Sequence, residues 1–319
     1  MKQQLAVGID IGGTNTVFGI VDRRGNLLCD GSISTKKHTE IPLFVDDLCK
    51  ELSKLIDQAG GLDEIKGIGV GAPNGNYFKG TIEFAPNLPW KGIIPLANLI
   101  QDAFGLPAVL TNDANAAAIG EMTYGAARGM KDFIMITLGT GLGSGIVVNG
   151  ELVYGHDGFA GELGHVIVNP EGRQCGCGRY GCLETYVSAT GIARTMRELL
   201  ETHQTDSLLR GLPDDQITSK STRDAAVQGD KLALEAFEYT GKLLGQQLAN
   251  FIAFSSPEAI ILFGGLTKAG DLILRPTVHH MEENLLEIYK NKVTVLMSEL
   301  KESDAAILGA SALVWEMKD

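Results

Sequence analysis

Two rhythms of apolar and polar positions alternate along the chain, and they change at glycine-rich turns. Gln4–Ile11, Thr16–Val21 and Leu27–Ser34 are short, apolar and rich in β-branched residues, with Arg24-Gly25-Asn26 as a turn before the third. This pattern predicts a three-strand antiparallel meander. From Ile41 to Ala59 the apolar residues fall at 41, 44, 45, 48, 52, 55, 56 and 59, the spacing of an amphipathic helix. A buried strand over Ile65–Gly71, a helix over Leu96–Phe104, a strand over Ala108–Thr111 and a helix over Ala114–Tyr124 follow. The order then begins again. Phe133–Leu138, Gly145–Val148 and Glu151–Tyr154 read as strands, and Gly191–Glu201, Thr222–Gln228 and Asp230–Ser255 as helices. Strands over Ala259–Phe263 and Val293–Met297 and a helix over Ala305–Met317 close the chain. Two similar α/β halves facing a cleft account for this repetition.

The 319 residues agree with that count at about 150 per domain. The net charge of −12 argues against a nucleic-acid partner, which needs a cationic face, and against anionic membranes. It leaves room for a small anionic ligand, because backbone N–H groups or a metal ion hold phosphate without net positive charge. The apolar start of the chain is broken by Asp10 and Gly12, unlike a signal peptide, and no stretch reaches the ~18 apolar residues of a membrane helix. A cytoplasmic protein is expected.

Two glycine-rich turns sit at equivalent places in the two halves: Asp10-Ile11-Gly12-Gly13-Thr14-Asn15, and Leu138 to Gly145 with Thr140 and Gly141 at its centre. Glycine lets backbone approach a ligand closely, and successive N–H groups make an anion-binding concavity. Asp10 ends a strand beside the first turn, where a carboxylate can hold Mg²⁺. The phosphate-binding signature G-x-x-x-x-G-K-[ST] is absent. Gly67 to Ala72 matches G-x-G-x-x-A, but Pro73 and Asn74-Gly75 follow where a dinucleotide site needs a helix. Asn112-Asp113-Ala114-Asn115 starts a helix after a strand. There Asp113 is either a helix cap or a general base aimed from the strand end, and the pattern leaves both open.

Five cysteines are present, and three of them, Cys175, Cys177 and Cys182, lie close after His165. Three thiolates and an imidazole make a closed tetrahedral Zn²⁺ site with no open position, hence structural rather than catalytic. Cys29 and Cys49 fall in an apolar strand and helix and read as small core residues.

Taken together, DIGGT at Asp10–Thr14, NDAN at Asn112–Asn115, GTGLG at Gly139–Gly143, GELGH at Gly161–His165 and CGCGRYGCLE at Cys175–Glu184 resemble the ROK family of sugar kinases and repressors. The resemblance spans nearly the whole chain. It implies an α/β fold of two RNase-H-like, actin-like ATPase or hexokinase-like domains around a hinged cleft, with a zinc-binding loop. The small N-terminal domain would comprise residues 1–112 plus 304–319. The large C-terminal domain, 113–303, would carry the zinc loop and oligomer-forming helices. ATP with Mg²⁺ would sit against Asp10, Gly12, Gly13, Thr14, Asn15, Thr140, Gly141, Gly264 and Gly265. Asp113 would be the base for the 6-hydroxyl of a hexose, with Asn87, Asn112, Glu162, His165 and Glu184 on the sugar. His165 would use one ring nitrogen on zinc and turn the other to the sugar. Asn15 departs from the Lys found in many members and removes one cation near the phosphates.

The resemblance favours a glucokinase acting on small molecules, as a dimer or tetramer, without nucleic-acid or membrane partners. Kinases for N-acetylmannosamine, N-acetylglucosamine, fructose and allose share most of these motifs. A sugar-responsive repressor would require a DNA-binding segment before the first strand, which begins near Gln4. An actin-like ATPase explains the glycine turns but leaves the cysteine cluster without a purpose.

Overall fold

The computed structural model describes residues 4–317. The first stretch contains β1 (Leu5–Ile11), β2 (Asn15–Asp22), β3 (Leu27–Ser34), α1 (Ile41–Gln58) and β4 (Ile65–Ala72). Three very short strands follow, β5 (Gly75–Asn76), β6 (Thr81–Glu83) and β7 (Ile93–Ile94), then α2 (Leu96–Phe104), β8 (Ala108–Asn112) and α3 (Asp113–Tyr124). Next come β9 (Phe133–Leu138), β10 (Leu142–Val148), β11 (Glu151–Leu152), α4 (Ala189–Thr202), α5 (Ser219–Val227) and α6 (Lys231–Ser255). The chain ends with β12 (Ala259–Phe263), α7 (Asp271–Asn284), β13 (Thr294–Met297) and α8 (Glu302–Glu316).

Two compact units divide these elements. The first holds residues 4–131, 145–161 and 298–317; the second holds 132–144 and 162–297. The division falls after Lys131 and before Ser298, where the sequence pattern suggests breaks after Asn112 and Ser303. The reason is packing. α3 lies against α8 so closely that a Cβ on Gly120 would meet Gly309 Cα at 2.8 Å. The segment 145–161 also joins the first unit: the Asn76 amide donates to Asp157 O at 2.7 Å, and Tyr77 stacks on Tyr154 with centroids 4.1 Å apart.

In the first unit the strands run β3-β2-β1-β4-β8. β1 to β3 pair antiparallel, and β4 and β8 continue parallel to β1. This is the RNase-H-like order. The parallel strands are buried on both faces, so they read as unbroken apolar runs. α1 buries Phe44, Val45, Leu48, Leu52 and Ile56, the positions its periodicity marks. α8 packs on β1 and β4, and a Cβ on Gly8 or Gly69 would lie 2.1 Å from Ile307 O or 1.9 Å from Ala310 O. The pattern G-x-G-x-x-A at Gly67–Ala72 is therefore part of a strand that admits a helix, not a nucleotide turn. Glu121 of α3 is fully buried and accepts from the hydroxyl of Ser298, where the chain returns to this unit, and from Ala126 N–H.

In the second unit β9, β12 and β13 pair in parallel, with Phe263 opposite Thr137. The long α6 packs along α7 through Gly241, where a Cβ would meet Pro276 Cγ at 2.6 Å. The hydrophobic pattern alone does not reveal α7, because Pro276 lies inside it and reads as a helix breaker. Among the described residues no helix is long and apolar enough to cross a membrane.

The contact at Gly69 is with helix backbone and has no flexible side chain to yield. Gly69→Ala is expected to lower stability by about 1–3 kcal/mol or more, read as a lower urea midpoint. An unchanged midpoint would show that α8 can move away freely.

Candidate active site

The strand register of the first unit brings the acidic residues together. Asp10 pairs with Gly71, Gly71 with Thr111, and Ala72 with Asn112. The carboxyl ends of three parallel strands therefore coincide, which is where ligands bind in sheets of this kind. Asp10 is the one partly open position in an otherwise buried β1. A Cβ on Gly71 would lie 3.3 Å from Asp10 Oδ1 and 3.6 Å from Asp113 Cα. Gly71 thus keeps the space between the two acids clear. No sequence signal singles it out, since it is one glycine in a strand that contains three.

Asn112 is the cap of α3, with its Oδ1 accepting from Ala114 N–H at 2.8 Å. Asp113 is the first helical residue. Its Oδ1 shares the same N–H at 2.8 Å. Asn112 thus occupies the cap position, and Asp113 stands one residue inside the helix. Asn112 keeps its amide N–H₂ as donor. The Asp113 carboxylate is open to solvent yet surrounded by enough protein that desolvation raises its pKa above the ordinary range. Burial, and then the charge of Asp113, push Asp10 up to about 7.

The first glycine turn abuts the Ala85–Trp90 segment. Gly12 N–H donates to Asn15 O at 3.0 Å, and a Cβ on Gly13 would meet Asn87 O at 3.0 Å. Thr14, Asn15 and Asn87 are exposed around this contact. Trp90 anchors the segment: it is buried, lies 4.4 Å from the Phe44 ring and donates from Nε1 to His38 O at 3.0 Å.

The second unit holds the remaining candidates. The turn at Gly139–Gly141 is closed by Gly139 N–H on Gly141 O at 3.1 Å, and Gly143 N–H is held by Thr137 Oγ1 at 3.1 Å. Thr190 Oγ1 donates to Thr140 O at 2.6 Å. Gly264 follows β12 beside the end of β9, where a Cβ would lie 2.7 Å from Leu138 O, and a Cβ on Gly265 would meet open space. Glu184 reaches the same turn: a Cβ on Gly141 would lie 2.6 Å from its Oε2.

The Glu184 Oε1 accepts from Cys175 Sγ at 2.9 Å and lies 3.7 Å from His165 Nδ1. His165 Nδ1 is 3.7 Å from Cys175 Sγ, and Cys177 Sγ is 3.7 Å from Cys182 Sγ. All four donor atoms of His165, Cys175, Cys177 and Cys182 lie within 4.8 Å of one another. Zn–S bonds of ~2.3 Å at the tetrahedral angle place neighbouring sulfurs ~3.8 Å apart, so this set fits a tetrahedral zinc ion. The other ring nitrogen, His165 Nε2, points toward Glu162, 3.9 Å from its Oε2. Cys29 and Cys49 pack against the core of the first unit.

The raised pKa of Asp10 makes the site a cost to the fold. The folded chain holds the Asp10 proton more tightly than the unfolded chain, so that cost is absent below pH ~4 and grows until pH passes about 7. In buffer free of divalent ions, Asp10→Asn is expected to raise the melting temperature at pH 8 and to leave it little changed near pH 4. An equal effect at both values would remove the ionised carboxylate as the cause.

The comparison with known proteins covers the whole chain. The ROK family pattern matches residues 6–317. The glucokinase of Halalkalibacterium halodurans is 36% identical over 325 residues, covering 100% of this chain and 97% of that protein. The crystal structure of a ROK family glucokinase from Streptomyces griseus, in complex with glucose and AMPPNP, superposes with a TM-score of 0.81 at 34% identity, covering 98% and 100%. The xylose repressor of Caldicellulosiruptor bescii is 32% identical over 286 residues, covering 88% of this chain and 70% of that protein. The chain, an α/β protein with these strand ends and this cysteine–histidine cluster, belongs to the ROK family.

Proposed function

We propose that this protein is an ATP-dependent hexose kinase, with glucose converted to glucose 6-phosphate as its leading reaction. The observation that carries the reading is Asp113: it opens α3 at the ends of the parallel strands, beside Asp10, with Asn112 in the cap position. The likeness to a glucokinase structure containing glucose and AMPPNP supports it.

The roles follow from the groups. Asp113 accepts the proton of the 6-hydroxyl as that oxygen bonds to the γ-phosphorus and the bond from phosphorus to the β-bridging oxygen breaks, leaving ADP. Asn87, Asn112, Glu162, His165 and Glu184 are the candidate contacts to the other sugar hydroxyls. The glycine-rich turns carrying Gly12, Gly13, Thr14, Asn15, Thr140, Gly141, Gly264 and Gly265 hold the phosphates and nucleoside. Asp10 would hold Mg²⁺, which neutralises charge on the transferring phosphoryl group. A lone carboxylate that otherwise raises the cost of folding suits an ion that brings most of its ligands as water and phosphate. His165, Cys175, Cys177 and Cys182 would hold zinc, which fixes the His165 ring without taking part in the chemistry. The −12 charge weighs against the alternative of DNA-binding regulation. Tight, salt-sensitive binding of a specific duplex, with no turnover of any sugar, would favour that alternative.

Asp113→Asn is expected to lower kcat by about 10²–10⁴-fold while glucose affinity by calorimetry changes little. Retained turnover would remove Asp113 as the base. In a coupled ADP-release assay, glucose should give a higher kcat/KM than N-acetylmannosamine, N-acetylglucosamine, fructose or allose. A clear preference for one of these would reassign the substrate. Metal analysis should find about one zinc per chain, lost in Cys177→Ser. A zinc-free, fully active preparation would contradict the metal assignment. Sedimentation is expected to show a homo-oligomer.

A further inference from the structure

Arg173 precedes Cys175 by two residues and is only 6% exposed. Each of its five N–H donors has an acceptor. Nε donates to Glu198 Oε1 at 3.1 Å. Nη1 donates to Thr185 O at 2.7 Å and Gly191 O at 3.2 Å. Nη2 donates to Thr195 Oγ1 at 2.8 Å and Glu198 Oε2 at 2.5 Å. The guanidinium also lies 4.4 Å over the Tyr186 ring. A cation this buried is tolerable only when its donors are matched, and no lysine offers the same planar fork.

The backbone of Arg173 is tied as firmly. Its N–H donates to Tyr186 Oη at 3.0 Å, and its carbonyl accepts from Gly181 N–H at 2.7 Å. The second bond closes the base of the loop that carries Cys175 and Cys177. Thr185, whose carbonyl the guanidinium holds, directly follows Glu184. The residue before that turn, Cys182, belongs to the metal-binding set. The turn bearing Glu184 is therefore secured at one end by the cysteine cluster and at the other by Arg173.

We propose that Arg173 is the positioning residue for Glu184: its guanidinium locks the Leu183–Thr185 turn against the start of α4 and so fixes the direction of the Glu184 carboxylate. The consequence for catalysis rests on the reading of Glu184 as a sugar contact. The cysteine–histidine cluster anchors both His165 and the near end of the Glu184 turn, and Arg173 adds a second anchor at the far end.

The test uses the intact zinc-loaded protein and the variants Arg173→Met and Arg173→Lys, the second retaining the charge should the first fail to fold. In hydrogen–deuterium exchange without sugar, the amides of Thr185, Tyr186 and Val187, now bonded to Cys182 O and Leu183 O at 2.9–3.0 Å, should exchange about tenfold faster or more. Arg173→Lys should fall between wild type and Arg173→Met, with zinc content unchanged in both. The KM for glucose should rise about tenfold, more than kcat falls, with the KM for ATP within about twofold of wild type. Adding either substitution to Glu184→Ala should cost nothing further, because both act through one carboxylate. Unchanged exchange at 185–187 in a folded variant would overturn the proposal, as would a fully additive loss in the double variant. Faster exchange with a silent Glu184→Ala would leave the clamp standing and remove Glu184 from the sugar site.

Discussion

Two carboxylates held side by side at the ends of parallel strands are the constraint on which the first unit is organised. Asp10 and Asp113 come from β1 and the start of α3, and the sheet register leaves only Gly71 between them. Desolvation and mutual repulsion raise the energy of the charged forms. A fold keeps such an arrangement only when the rest of the unit holds it. Here α8 packs directly onto β1 and β4 through Gly8 and Gly69, and α3 packs onto α8 through Gly120 and Gly309. On the proposed function, a cation at Asp10 and a proton donor at Asp113 would relieve this cost. Stability and activity are opposed at these two positions.

The second unit solves a different problem, that of holding polar side chains steady on loops. The stretch from Glu162 to Tyr186 contains two 3-10 turns and two isolated bridges but no long element. Loop backbone of this kind is mobile unless cross-linked. The four donors of the cysteine–histidine set would provide one cross-link through a bound zinc ion, and the saturated Arg173 guanidinium provides another. Glu184 touches both the cysteine set and the Gly141 turn, which brings a sugar contact and a phosphate turn of the proposed function into one cluster within this unit.

Much of this was legible in the sequence, for reasons that also explain the gaps. β1, β9 and β12 are apolar runs that end at a glycine, β4 is an apolar run with glycines inside it, and α1 has a clean helical period, so burial dictates their letters. β5 to β7 are two or three residues long and have no rhythm to read. α7 is hidden by Pro276. The unit boundaries depend on glycine-to-glycine contact between α3 and α8, which hydrophobic pattern cannot encode. The spacing of Cys175, Cys177 and Cys182 suggested metal because few other purposes need thiols so close. Whether Asp113 caps α3 was undecidable until Asn112 was seen in that role. Gly71 and Arg173 carry no motif: one matters for an absent side chain, the other for a set of five acceptors scattered from Thr185 to Glu198.

Asp10 and Asp113 stand as an energetically coupled pair with raised pKa values. Carboxyl ¹³C NMR of aspartate-labelled protein, titrated in metal-free buffer, reads that coupling at each carboxyl. Asp10 should titrate near pH 7 and Asp113 above the ordinary carboxylate range, and Asp113→Asn should lower the Asp10 midpoint. Ordinary midpoints for both, or an Asp10 midpoint indifferent to Asp113→Asn, would contradict it.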